Sequence, residues 1–227
     1  VFYGVRGEDP KTVINASHII KTMEKLQGYL VFKTNQGTND HLRNNLNSLE
    51  LKPYSSGVVE GIISGKPRTE NGGHVFFTLS AKESKITCAV YKPTKITHIA
   101  QQLIEGDKIR VGGSIRKASK NHSRIFNVEF IQILKLENKY KHANPICKKC
   151  NKRMKSKGKN QGFQCIRCKK SSNAKLVHKI PRTIQRRIYL PSISAHRHLT
   201  RPLQRYGKKN HETKIDNKIP WFANFKN

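Results

Sequence analysis

The chain has 227 residues, of which 35% are hydrophobic, and a formal net charge of +31. That is enough for two or three small domains but too little apolar content for one large core. No run approaches the ~18 apolar residues of a membrane-spanning helix, and no signal peptide is visible. The charge is unevenly shared. Residues 1–140 carry 21 basic and 12 acidic side chains, whereas residues 141–227 carry 24 and 2. An excess this one-sided calls for a polyanion, in the first place nucleic acid. An anionic membrane surface fits less well, because there is no basic amphipathic helix with a bulky apolar face.

Residues 1–34 read as strand, helix, strand. The chain opens on Val1 and enters the apolar run VFYGV at once, which reads as a segment of a longer protein. Asp9 then suits an N-cap and Pro10 a first helical position. Val13, Ala16, Ile19, Ile20, Met23 and Leu26 follow at helical spacing until Gly28, and YLVFK is the second strand. Residues 35–53, rich in Asn, read as a loop and linker.

From residue 54 to 136 the pattern becomes two-fold alternation. SGVVEGII, GHVFFTLSA and SKITCAVYK are three strands; ITHIAQQLIEG is a helix; DKIRVGGSI and RIFNVEFIQIL are two more strands. Three strands, a helix and two strands is the order of an OB-fold, a five-stranded Greek-key barrel, with glycines at 57, 61, 112 and 113 for its bends. Such barrels bind nucleic acid on the second and third strands, where the outward set holds Phe76, Lys85 and Tyr91. The alternative for Phe76 is packing against a neighbouring domain. Arg110, Arg116, Lys117 and Lys120 add positive charge around the fourth strand. Cys88 falls on the inward side of the third strand and reads as core.

The remaining four cysteines form two Cys-x-x-Cys pairs, Cys147/Cys150 and Cys165/Cys168, with fourteen residues between the pairs. Two such knuckles can place four sulfurs tetrahedrally around one Zn²⁺. Two disulfides are the alternative, and the chain otherwise has an intracellular look. Lys148, Lys149 and Arg167 crowd the site, where such cations favour thiolates, and are candidate RNA contacts. Beyond the knuckles, Pro181, Pro191 and Pro202 preclude one long helix across a stretch with seven basic residues from Lys179 to Arg205, so it reads as an extended basic arm. Arg186, Arg187, Arg197, His198, Arg201 and Arg205 are its candidate RNA contacts. His196 and His198 are further potential metal ligands, but four thiols already suffice. The final IPWFANF carries no interpretable motif.

FYGVRGEDP, then YLVFKTNQGTNDHL, a barrel, a four-cysteine ribbon and AHRHLTRPLQRY occur in the order that resembles the archaeal agmatidine synthetases, over residues 1–206. The resemblance implies an α+β multidomain fold. Residues 1–42 would end a ferredoxin-like domain as a β-α-β unit, and 43–53 would link it to an OB-fold at 54–138. A zinc ribbon at 144–172 and an arm and tail at 173–227 would follow. It implies the C-terminal portion of an ATP- and Mg²⁺-using ligase without the kinase-like domain, acting in the cytoplasm. Such a ligase activates the C2 carbonyl of the wobble cytidine of the minor isoleucine tRNA and replaces its oxygen with agmatine. The partners are then tRNA, agmatine and ATP, the structural cofactor is Zn²⁺, and this segment holds no catalytic residue. Arg6, Asn35, Gln36, Thr38, Asp40 and His41 are the implied substrate-binding candidates. Asn39 stands where relatives are expected to carry an acid. From the residues alone, a free-standing barrel-and-ribbon nucleic-acid-binding protein remains the alternative.

Overall fold

The computed structural model describes residues 3–46, 52–81, 84–118, 123–207 and 222–224. The chain divides into two compact units, Val1–Asp40 with Arg197–Asn227, and His41–His196.

In the first unit, helix α1 is Pro10–Ile19. The Asp9 carboxylate accepts the Thr12 N–H at 2.7 Å, and this bond holds its pKa below the usual value. The helix stops well short of Gly28: Ile20 is already extended. Ile19 and Met23, which continue the apolar period, are exposed, so no burial sustains a longer helix. Tyr3–Val5 form no strand, and Val1 and Phe2 lie outside the described residues. Strand β1 is only Gly28–Leu30, and it pairs antiparallel with Phe222–Asn224, inside the segment that carried no motif.

The second unit is built on a closed barrel. Strands β2 (Ser56–Thr69), β3 (Val75–Ala81), β4 (Ser84–Val90), β5 (Lys108–Arg116) and β6 (Ile125–Lys135) carry it. Each of β2–β3, β3–β4, β2–β5 and β5–β6 is antiparallel; β4 and β6 close the ring in parallel, with Cys88 opposite Phe126. Alternation, strict along β3, delivers most of the core: Val75, Phe77 and Leu79 from β3 meet Ile86, Cys88 and Val90 from β4 and Ile109 and Val111 from β5. Burial pushes the Cys88 thiol pKa up, as befits a core cysteine. Gly112 and Gly113 flank a register shift in the β5–β6 pairing, and close neighbours also leave no room there for a side chain. A Cβ on Gly112 would sit 2.1 Å from the Phe130 ring, and one on Gly113 would sit 2.0 Å from the Asn127 carbonyl.

Three details depart from the sequence expectation. First, β2 runs six residues beyond Ile63, past a register shift between Ser64 and Arg68. Second, the expected helix over 96–106 is one turn, α2 (Thr97–Ala100). Ile96, Ile99, Ala100 and Leu103 are nevertheless all buried, so the apolar period reported burial correctly and helix length poorly. Third, the Asn-rich stretch is in part fastened to the barrel. Leu42 is buried, Leu46 N–H donates to Val58 O, and Val58 N–H donates to Asn44 O.

After the barrel, β7 (Lys139–Ala143) leads into a small three-stranded sheet of β8 (Lys155–Ser156), β9 (Phe163–Gln164) and β10 (Ser171–Ser172), in the order β10-β9-β8. The chain leaves through β11 (Leu176–Ile180), which pairs antiparallel with β7, Ala143 opposite Leu176. It then returns to the barrel. Ile184 and Tyr189 join the barrel core, and β12 (Ile188–Tyr189) adds to the edge of β6.

Candidate metal centre and nucleic-acid interface

The cysteine knuckles are two copies of one local structure. Asn151 N–H donates to Cys147 O and Lys169 N–H donates to Cys165 O, each four residues on. Asn151 and Lys169 both take positive φ, at 50° and 61°, to turn the chain there. Each first cysteine is fixed again from its own N–H, Cys147 to Lys152 O and Cys165 to Lys170 O. All four sulfurs lie within 4.8 Å of one another, with Cys147 and Cys168 at 3.5 Å. Tetrahedral Zn²⁺ with ~2.3 Å bonds needs sulfurs about 3.8 Å apart, so the residues fit the ion. The electrostatics agree. Backbone N–H groups of Cys168 and Arg167 lower the Cys165 thiol to about 6, while its hydrogen bond to the Cys168 sulfur pushes Cys150 to about 12. Four thiolates cannot coexist here without a cation to offset them. The centre is a structural zinc site; Cys147 and Cys165 are fully buried and no coordination position is left open.

Around it, Lys148, Lys149 and Arg167 are all exposed. His196 and His198 do not join the metal cluster: His196 Nε2 is bonded to Pro191 O.

In the first unit, the Asn35–Asp40 loop and the segment after Arg197 form one hydrogen-bonded body, although about 160 residues separate them. Gly37 N–H donates to His198 O at 2.9 Å and Asn39 N–H to Leu199 O at 2.8 Å. The Asn39 side chain accepts from Arg201 N–H at 2.7 Å and donates to the Tyr206 hydroxyl at 2.8 Å. Asn39 itself sits at φ 59°, which asparagine tolerates better than most residues. Arg205 donates to the carbonyls of Gln36 and Gly37 and pairs with Glu8 at 2.7 Å. Thr38 is spent on turn chemistry, donating to Asn35 O and accepting from Asp40 N–H. Asn39 and Arg205 therefore act as framework. Arg6 and Asn35 are exposed, and the Gln36 Oε1 is buried with no partner among the described residues. His41 belongs to the barrel unit and is bonded to Glu129 at 2.8 Å. Asn39→Ala should lower the melting stability by about 1–2 kcal/mol, since two hydrogen bonds and a tolerated left-handed residue are lost; chemical denaturation monitored by circular dichroism measures it, and an unchanged midpoint would contradict this role.

On the barrel, Phe76 is half-buried beneath the Arg68 guanidinium, 5.7 Å from the ring centroid, and Lys85 is exposed on the adjacent strand. Tyr91 donates to Asn127 Oδ1 at 3.2 Å and meets the His74 ring edge-on. Arg110 is not a free cation: with Lys108 it grips Glu60, at 3.0 and 2.8 Å. The Lys108 hydrogen bond, followed by that of Arg110, holds Glu60 below its usual pKa. Arg116 is exposed at the end of β5; Lys120 lies outside the described residues. Arg186 is exposed, and Arg187 lies over the Tyr189 ring at 4.8 Å.

Residues 1–41 match the TiaS FLD domain, and residues 144–184 match the TiaS C-terminal zinc ribbon domain. The isoleucine-tRNA 2-agmatinylcytidine synthetase TiaS of Cenarchaeum symbiosum (strain A) is 44% identical over 225 residues, 99% of this chain and 50% of that protein. The chain belongs to the TiaS family. It spans about half the length of the curated TiaS relatives it matches. Among solved structures it is similar to a complex of TiaS with an isoleucine tRNA and ATP, with a TM-score of 0.71 and 33% identity over 89% of this chain and 46% of that one. A complex of TiaS with an isoleucine tRNA, AMPCPP and agmatine matches with a TM-score of 0.68 and 31% identity over 92% and 47%.

One pair in this TiaS-family chain was invisible in the sequence. Asp107, a buried charged residue of the core, meets Arg182 from the arm in a two-pronged ion pair at 2.8 and 3.0 Å. Arg182 looks like any of the arm's seven basic residues. The available signal lay in Asp107, an acid directly before an apolar strand.

Proposed function

We propose that this chain is the tRNA-gripping portion of an ATP-dependent ligase that conjugates agmatine to C2 of the wobble cytidine of isoleucine tRNA, a cytoplasmic modification that permits AUA decoding. The observation that carries this is the 44% identity to a named isoleucine-tRNA 2-agmatinylcytidine synthetase across 99% of the chain. The charge supports it: exposed Lys148, Lys149, Arg167 and Arg186 have no ion pair among the described residues and lie in a segment nearly devoid of carboxylates. Such cations supply affinity for the sugar–phosphate exterior, and duplex RNA is recognised largely by shape. The zinc site serves by fixing the ribbon that displays them. The loop Asn35–Asp40 with Arg6 is the proposed substrate side, with ATP and agmatine used by the full-length protein. A free-standing barrel-and-ribbon binder is disfavoured, because it leaves the match over residues 1–41 unexplained.

The test has two parts. The full-length ligase carrying this segment should attach radiolabelled agmatine to an isoleucine tRNA transcript in the presence of ATP; a parent that never does so ends the proposal. The chain itself should bind that transcript with affinity falling about 10³-fold between roughly 50 and 200 mM salt, as expected for six or more phosphate contacts. A flat salt response would contradict phosphate gripping.

A further inference from the structure

The turn Lys52–Ser55 is built against its own sequence. Ser55 N–H donates to Lys52 O at 3.1 Å, Pro53 occupies the second position, and Tyr54 takes φ +69° at the third. These are the marks of a type II turn, whose third position suits glycine or asparagine, because a Cβ there crowds the following carbonyl. Nothing in the core asks for tyrosine: the side chain is 78% exposed. The backbone is nevertheless held firmly. Tyr54 N–H donates to Ile115 O at 2.9 Å and Ile115 N–H donates to Ser55 O at 2.8 Å, stitching the turn to the end of β5. A bulky residue kept in a disfavoured conformation by its surroundings, with its ring in solvent, is a pointer to function.

The ring borders an open cleft of about 480 Å³, lined also by Ser56, Ser114, Arg116, Lys117 and Asn127. No carboxylate among the described residues lines it. Arg116 and Lys117 are exposed and have no acidic partner among the described residues. Tyr91 donates to Asn127 Oδ1, which commits the amide oxygen and leaves its NH₂ group as a donor. The two serines add hydroxyls able to donate or accept. An aromatic plate, two uncompensated cations and short polar groups together match one nucleotide: a face to stack, a phosphate to neutralise and a base edge to bond. The base must be unpaired and out of its stack, because a duplex offers no free face to Tyr54.

We infer that Tyr54 is the stacking platform for one unpaired nucleobase of the bound RNA, with Arg116 and Lys117 on its flanking phosphate. The inference rests on the tRNA-binding reading above and places a contact away from Phe76 and Lys85, where barrel recognition is expected. Tyr54→Gly in the full chain separates the possible roles. Glycine relaxes the turn, so the variant should melt at or above the wild-type temperature while its Kd for the isoleucine tRNA transcript rises roughly tenfold or more, the loss of one base–aromatic stack. Tyr54→Phe should bind like wild type, and Arg116→Gln with Lys117→Gln should reduce the salt slope by about 0.7–0.9, the share of one phosphate. Unchanged Tyr54→Gly affinity overturns this site and leaves the tRNA-binding reading standing. A Tyr54→Gly melt well below wild type marks the ring as structural and overturns it too. A wild-type chain that ignores the transcript defeats both.

Discussion

Replacing Cys165 with serine should empty the metal centre and weaken tRNA binding about 100-fold in one step. The buried core of the ribbon is Cys147, Met154, Phe163 and Cys165, so two of its four members are ligands. Met154 and Phe163 together contribute roughly 3–6 kcal/mol by burial, whereas a structural zinc contributes about 10–16 kcal/mol of apparent binding energy at neutral pH. Without the ion the knuckles have no reason to hold their shape, and the exposed Lys148, Lys149 and Arg167 lose their fixed spacing. Three or four phosphate contacts then disappear. The measurement pairs zinc per chain, by elemental analysis, with the Kd for a tRNA transcript. A chelator on the wild-type chain should reproduce the variant. Retained zinc with unchanged affinity would refute the link between metal and grip.

The second large effect is expected at Asp107. Its Oδ1 accepts from Glu137 N–H and Arg182, and its Oδ2 from Ile104 N–H and Arg182, so four donors serve one buried carboxylate. The guanidinium also donates to Glu137 O and Gln102 O. Arg182→Ala leaves the carboxylate buried with half of its donors, which costs about 3–5 kcal/mol. For a domain of this size that is a fall in Tm of roughly 10–20 °C. Arg182→Lys should recover little, since an ammonium cannot reproduce the fork. A double substitution to apolar residues of similar volume should be milder than either single change. Calorimetry on the zinc-loaded chain decides it, and a Tm within 2 or 3 °C of wild type for Arg182→Ala, a shift worth less than about 1 kcal/mol, would defeat this expectation.

The barrel and the zinc ligands were legible because each is a local regularity. Val75–Ala81 alternates strictly and Ser84–Val90 alternates as far as Cys88, and Cys-x-x-Cys pairs declare their chemistry through spacing. What stayed hidden is nonlocal. The pairing of Gly28–Leu30 with Phe222–Asn224 joins segments almost two hundred residues apart, and neither segment alone names the other. The period of α1 ran past Ile19 because apolar spacing signals a face to be covered, not the length of helix that results. Asn39 read as a departure from an expected acid; its position at φ 59°, with bonds to Arg201 and Tyr206, shows a framework residue. Tyr54 is the first residue of the stretch that reads as barrel, and nothing in the sequence marks its positive φ, which is visible only once β5 is in place. Arg110 read as part of the positive charge around the fourth strand, but the register of β2 and β5 sets Glu60 opposite it.

The return of the chain to the barrel after β11 sets an order of assembly. On the ribosome, β2 to β6 emerge first, but Asp107 waits for Arg182, and the β6 edge waits for Ile188 and Tyr189. The knuckles lie between, so a nascent chain presents its thiols to the metal pool before the barrel is locked. Maturation of the barrel is thereby a late event, timed by translation of residues that sit beyond the ribbon.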